Sequence, residues 1–133
     1  MYLSFLNRKE KIVFLSLAYH VAQLDQVVTD EEIKLIESYK KELGELITEE
    51  ELISNMNHLL ELLSEVTLQN KKIIVFELIG LSLSDNNFDE SERNFISKLC
   101  KDFELDLDYM VQCETLVLDY LNLQNRINST VLV

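Results

Sequence analysis

Proline is absent from this 133-residue chain, and glycine stands only at positions 44 and 80. The residues that punctuate hairpins, tight turns and long loops are therefore nearly missing, which argues against a sheet protein. Long apolar runs are missing too. The two most apolar stretches, Ile12–Ala22 and Ile73–Leu83, fall short of the roughly 18 residues that a membrane-spanning helix needs. The first follows Arg8, Lys9 and Lys11 but has no small-x-small cleavage site, and the second repeats its character deep in the chain, so neither reads as a signal peptide. Basic clusters are lacking as well. Twelve Lys and Arg face 24 Asp and Glu, a formal charge of −12, and such a field repels nucleic acid. Cysteine is sparse: Cys100 and Cys113 are not a CxxC pair and both lie in apolar helical patterns. They are expected to be buried and reduced, which fits the cytoplasm. The sequon Asn128-Ser129-Thr130 has no role without secretion. There is no glycine-rich phosphate loop, and Ser, Cys and His show no triad-like spacing, so a catalytic reading finds no support and a non-enzyme is expected.

What is present is a repeat. Asp25-Gln26-Val27-Val28-Thr29-Asp30-Glu31-Glu32 and Asp85-Asn86-Asn87-Phe88-Asp89-Glu90-Ser91-Glu92 share a plan sixty residues apart. In each, an Asp closes an apolar helical stretch, a bulky apolar residue follows at +3, a helix-capping residue at +4 and a Glu at +7. Capping-box spacing recurs at Asn7/Glu10, Thr29/Glu32, Thr48/Glu51 and Asp89/Glu92, where side chains reciprocally satisfy first-turn amides. These signals predict helices at about 8–24, 30–43, 49–65, 70–84, 90–103 and 107–126, with Gly44 as a left-handed stop for the second.

The expected fold is all-α: a six- to seven-helix bundle of two pseudo-twofold-related repeats, about 8–65 and 70–126, in one domain over 1–133. Helices one and four are apolar nearly all round and should form the centre, with Phe14 and Phe76 as anchors. Single apolar stripes are expected on helix two (Ile33, Ile36, Tyr39, Leu43), helix five (Phe95, Ile96, Leu99, Phe103) and helix six (Tyr109, Met110, Cys113, Leu116, Val117, Tyr120). Tyr2, Leu3, Phe5 and Leu6 form an apolar lead expected to pack back on the bundle.

The acidic turns are the candidate site. Hard cations such as Ca²⁺ and Mg²⁺ need several oxygen ligands held by a turn. Asp85, Asn87 and Asp89 stand at positions 1, 3 and 5 of an EF-hand-like loop, but Glu90 replaces the required Gly and Ile96 the closing Glu, which excludes a true EF-hand. The shorter frame closes at Glu92. The first turn offers only Asp25, Thr29 and Glu32, so a cation should bind there more weakly. The competing reading is purely structural: Glu32 and Glu92 complete capping boxes, Thr29 and Asp89 are caps, and Asp25 and Asp85 hold Asx-type turns. His20, one turn before Asp25, and His58, beside Leu59 and Leu60, read as structural histidines.

Two Asp-x-x-[apolar]-[Thr/Asp]-x-x-Glu turns in a small acidic helical chain resemble the TerB-like family of tellurite-resistance proteins, over roughly residues 8–105. The chain departs from that family's pattern at Gln26 and Asn86, where Gly usually follows the Asp. The resemblance implies a pseudo-twofold bundle without established catalytic activity and with a cation site at Asp25 and Glu32 in the first turn and Asp85 and Glu92 in the second. It also implies a cytosolic interaction module with an unidentified protein partner, tied to tellurite or stress resistance. The alternative is an adaptor bundle that binds a partner helix through an exposed apolar face of helix three or six, without metal.

Overall fold

A computed structural model describes residues 1–24, 30–84 and 88–133 and, at 31 and 32, the backbone alone. Six α-helices follow one another: α1 Arg8–Ala22, α2 Asp30–Leu43, α3 Met56–Ser64, α4 Leu68–Ser82, α5 Glu90–Asp102 and α6 Leu107–Val131. Short 3₁₀ turns occupy Leu3–Phe5 and Glu49–Glu51, and no strand occurs among the described residues.

Caps set the boundaries. Asn7 Oδ1 accepts from the Glu10 amide at 2.9 Å while Glu10 Oε1 accepts from the Asn7 amide at 2.9 Å, a complete capping box for α1. Thr67 caps α4 by accepting from the Asn70 amide at 3.3 Å. The fourth helix thus starts at Leu68, two residues before the expected 70, because Thr67 rather than Asn70 offers the capping oxygen. Glu10 Oε1 also accepts from Asn70 Nδ2 at 2.9 Å, which ties the first turns of α1 and α4 together.

The ends of α2 and α5 are alike. Gly44 has φ +69° and its amide donates to Lys41 O at 3.1 Å, the left-handed stop expected from the sequence. Sixty residues on, Glu104 has φ +58°, its amide donates to Lys101 O at 3.0 Å, and the Leu105 amide donates to Cys100 O at 2.8 Å. That pair of bonds is a Schellman motif built without glycine.

The third helix differs from expectation. Instead of one helix over 49–65, Thr48 and Glu51 close a single 3₁₀ turn, the chain extends at Leu52, and Asn55 starts α3 afresh by accepting from the His58 amide at 3.1 Å. The break has a clear cause. The buried Ser16 hydroxyl, which donates to Ile12 O at 2.8 Å, accepts from the Ile53 amide at 2.9 Å, so this stretch bonds to α1 rather than to its own preceding turn.

Helices α1 and α4 pack on each other at the centre. Around them α2 and α3 lie on α1, α5 and α6 lie on α4, and α2 also reaches α4. Phe14, Leu15, Leu17 and Ala18 of α1 and Ile74, Val75, Leu78 and Ile79 of α4 are fully buried. Phe14 meets the Tyr39 ring edge-on at 5.1 Å. Phe76 is not its equal: it is half-buried at the edge of the core, against Tyr2 at 6.1 Å between ring centroids. Leu3 and Leu6 are buried as the N-terminal lead predicts, whereas Tyr2 and Phe5 are exposed, as is Ile33 of the expected α2 stripe. No helix among the described residues is long and apolar enough to cross a membrane.

Candidate functional site

Of the residues expected to hold a cation, the structure places the side chains of Asp89 and Glu92. Asp89 Oδ1 accepts from the Glu92 amide and from Ser91 Oγ, both at 2.8 Å, so it serves as the cap of α5. Glu92, in the first turn of α5, is only 3 % exposed. Asp25, Asp85 and Asn87 lie outside the described residues, and Glu32 is described by its backbone alone. Among the described residues no three His, Cys, Asp or Glu side chains gather as a metal site would require. Close to the second turn, the Arg93 guanidinium stacks on the Phe88 ring at 4.6 Å and pairs with Glu114 of α6 at 3.0 Å. The Arg93–Glu114 pair joins α5 to α6 beside the acidic turn.

The histidines and cysteines have surroundings of their own among the described residues. His20 is half-buried with its ring 4.8 Å from Phe95, and desolvation holds its pKa below the ordinary value. His58, expected to be a structural histidine, is instead exposed, because it lies on the outer face of α3, and is 3.9 Å from Glu61. Cys100 and Cys113 are free and buried as expected, and burial pushes the Cys100 thiol up to about 11, the behaviour of an inert thiol.

A different surface is the more developed one. Two adjoining grooves flank the central part of α6. One, of about 950 Å³, runs between α2, α4 and α6 past Leu35, Tyr39 and Leu121; the other, of about 870 Å³, runs between the N-terminal turn, α4 and α6 past Phe5, Leu68 and Leu116. Phe76 and Tyr120 border both. At their junction the buried Glu77 carboxylate accepts from the Met1 amino group at 2.7 Å and the Tyr2 amide at 3.0 Å. The Glu77 carbonyl accepts from the Tyr39 hydroxyl at 2.9 Å. Glu77 therefore ties the N-terminal turn, α4 and α2 together. Its one signal in sequence is a carboxylate within the apolar run of α4.

Helix α6 has two apolar faces where one was expected. Met110, Cys113 and Val117 are buried against the bundle. Leu116 and Tyr120, expected in the core, are instead 59 % and 47 % exposed, and the same outward seam continues with Leu123 at 51 %, Ile127 at 50 % and Val131 at 69 %. The physical reason is angular. Residues 116, 120, 123 and 127 recur at 4, 3 and 4 residues, a seam set about one residue round the helix from the buried one, and the bundle covers only the latter. Every residue from Asn122 to Val133 is exposed.

Compared with protein-family models, with curated proteins and with solved structures, the chain matches none.

Proposed function

We propose that this protein is a non-catalytic helical interaction module of the TerB-like kind, working in the cytoplasm in tellurite or stress resistance. Its working surface is the apolar face shared by the N-terminal turn, α4 and α6. One observation carries the reading. Tyr2, Phe5, Leu68, Leu116 and Tyr120 are all exposed around one groove, and exposed apolar area gathered in this way marks an interaction surface more often than it does scattered singly. The groove's apolar lining suits the apolar side of an amphipathic helix.

The two-repeat architecture behind the TerB-like comparison draws support from paired details. Asn7 and Thr67 cap helices of equal length, Arg8–Ala22 and Leu68–Ser82, at a sixty-residue offset. Gly44 and Glu104 share a left-handed conformation at the same offset. Lys11 Nζ donates to Leu43 O at 2.9 Å, and its counterpart Lys71 lies 5.7 Å from the ring of Phe103, the counterpart of Leu43.

A second reading adds a divalent cation, Ca²⁺ or Mg²⁺, at Asp85, Asn87, Asp89 and Glu92. What favours it is that Asp89 uses one oxygen, Oδ1, for both of its capping contacts, with the Glu92 carboxylate one helical turn away. Complementation separates the two readings. A deletion strain challenged with tellurite is supplied with wild-type protein, Tyr120→Glu or Asp85→Asn, each variant first shown to fold by circular dichroism. The interaction reading expects Tyr120→Glu to fail and Asp85→Asn to succeed. The reverse result supports the cation reading, and full rescue by both variants overturns the surface as the seat of function.

A further inference from the structure

Resting on the interaction reading, we infer that the apolar seam of α6 is covered by the α6 of a second copy, packed antiparallel. Two physical obstacles bear on any self-association of this chain: its charge of −12, and the need for a face complementary to itself. The distal part of α6 meets both. Residues 115–133 carry only two side chains charged at neutral pH, Asp119 and Arg126, and otherwise apolar or neutral polar groups such as Asn122, Gln124, Asn125 and Asn128. The strongly acidic character of the chain stops where the seam begins.

Asp119 and Arg126 are seven residues apart, so they lie on the same flank of the seam, nearly above one another. A twofold axis perpendicular to two antiparallel helices keeps that flank on the same side in both copies. Centred between Leu123 and Gln124, it sets Leu116 against Val131 of the other copy, Tyr120 against Ile127, and Leu123 near its own mate. The same operation brings Asp119 alongside Arg126 of the other copy, twice. A parallel pair would instead place this flank opposite the bundle side of the partner helix, where Val117 is already buried, and would set two acidic bundles side by side. The antiparallel arrangement puts the bundles at opposite ends.

The area is adequate. Each of the five seam residues offers on the order of 100 Å² of apolar surface, so two copies bury about 1,000 Å², the threshold that a biological interface has to clear. The end of each α6 then reaches the groove beside Phe5 and Leu68 of the other copy, adding to that area. Uncovered, the turns after Leu121 would expose Leu123, Ile127 and Val131 along a helix without tertiary support, a marginal structure in water.

Sedimentation equilibrium of the full chain, from about 1 to 100 µM, tests the arrangement. The wild type is expected to reach twice its 15.6 kDa mass within that range, and Leu123→Glu, at an exposed position, to stay monomeric. Asp119→Arg or Arg126→Asp alone should weaken association about tenfold, and the two together should restore it, because only the antiparallel register exchanges the charges. A wild type that is monomeric throughout overturns the inference. So does a dimer that is indifferent to Leu123→Glu, or one whose single charge reversals are not rescued by the double exchange. A monomer would leave the interaction reading to be judged by Tyr120→Glu complementation, so the two failures are separable.

Discussion

Glu104→Gly is expected to stabilise the protein, although it deletes a side chain from a solvent-exposed position. Glu104 ends α5 at φ +58°, and holding an L-residue with a Cβ in the left-handed region costs about 1–2 kcal/mol. Glycine removes that cost but gives the unfolded chain more freedom, which returns about 0.5–1 kcal/mol. Its carboxylate also lies at the C-terminal end of the α5 dipole, where a negative charge is unfavourable by about 0.3–1 kcal/mol. The net expectation is a gain of about 1 kcal/mol. Gly44→Ala is the reciprocal change. The nearest atom to a Cβ there is 4.0 Å away, so there is room for it, but φ is +69°, and the backbone conformation alone should cost about 1 kcal/mol. Urea denaturation with an unchanged m-value reads both directly. Glu104→Gln, which keeps the Cβ and removes the charge, isolates the dipole contribution and should recover less than half of the gain. If Glu104→Gly is neutral or destabilising while Gly44→Ala is costly, the two helix ends are not equivalent, and the matched C-termini no longer support the repeat.

Three further outcomes follow from the packing and the turns. Phe14→Ala should cost about 3–5 kcal/mol, because a fully buried ring leaves a cavity at the centre, and the half-buried Phe76→Ala should cost less than half as much in the same denaturation experiment. Because burial lowers the His20 pKa in the folded state, the unfolded state binds the proton more readily, and stability must fall as pH drops through 6.5 toward the folded-state value. His20→Gln should flatten the stability difference between about pH 7.5 and 5.5, and an unchanged slope would assign the pH response to other groups. If the second acidic turn holds Ca²⁺ or Mg²⁺, a hundredfold excess over Kd stabilises by about 2.7 kcal/mol, seen as a rise in melting temperature that Asp85→Asn abolishes; no rise in wild type leaves both turns to capping alone.

Much of the fold was legible because its helices carry explicit start signals. Asn7, Asp89 and Gly44 act as the sequence suggests, and α2 matches its expected span. Legibility failed where a tertiary bond overrode a local one. Thr48 and Glu51 look like the start of a long helix, but the Ser16 hydroxyl of α1 takes the Ile53 amide, and no local pattern reveals that competition. The apolar residues of α6 were visible, yet periodicity shows that a face is apolar without showing whether the bundle reaches it. Leu116 and Val117 are neighbours in sequence and only one is buried. The acidic pattern announced the start of α5 and a capping role for Asp89 that the geometry bears out, while Asp25, Asp85 and Asn87 fall outside the described residues.

Hydrogen–deuterium exchange of the α6 amides over 122–131 tests most directly whether the apolar seam of α6 is covered by a second copy. At concentrations that favour association, the seam should be covered and these amides should exchange about tenfold more slowly than in a diluted sample, with Leu123→Glu abolishing the difference. Exchange that is fast and independent of concentration, in wild type and Leu123→Glu alike, would contradict the pairing of α6 and leave the groove to be judged by Tyr120→Glu complementation.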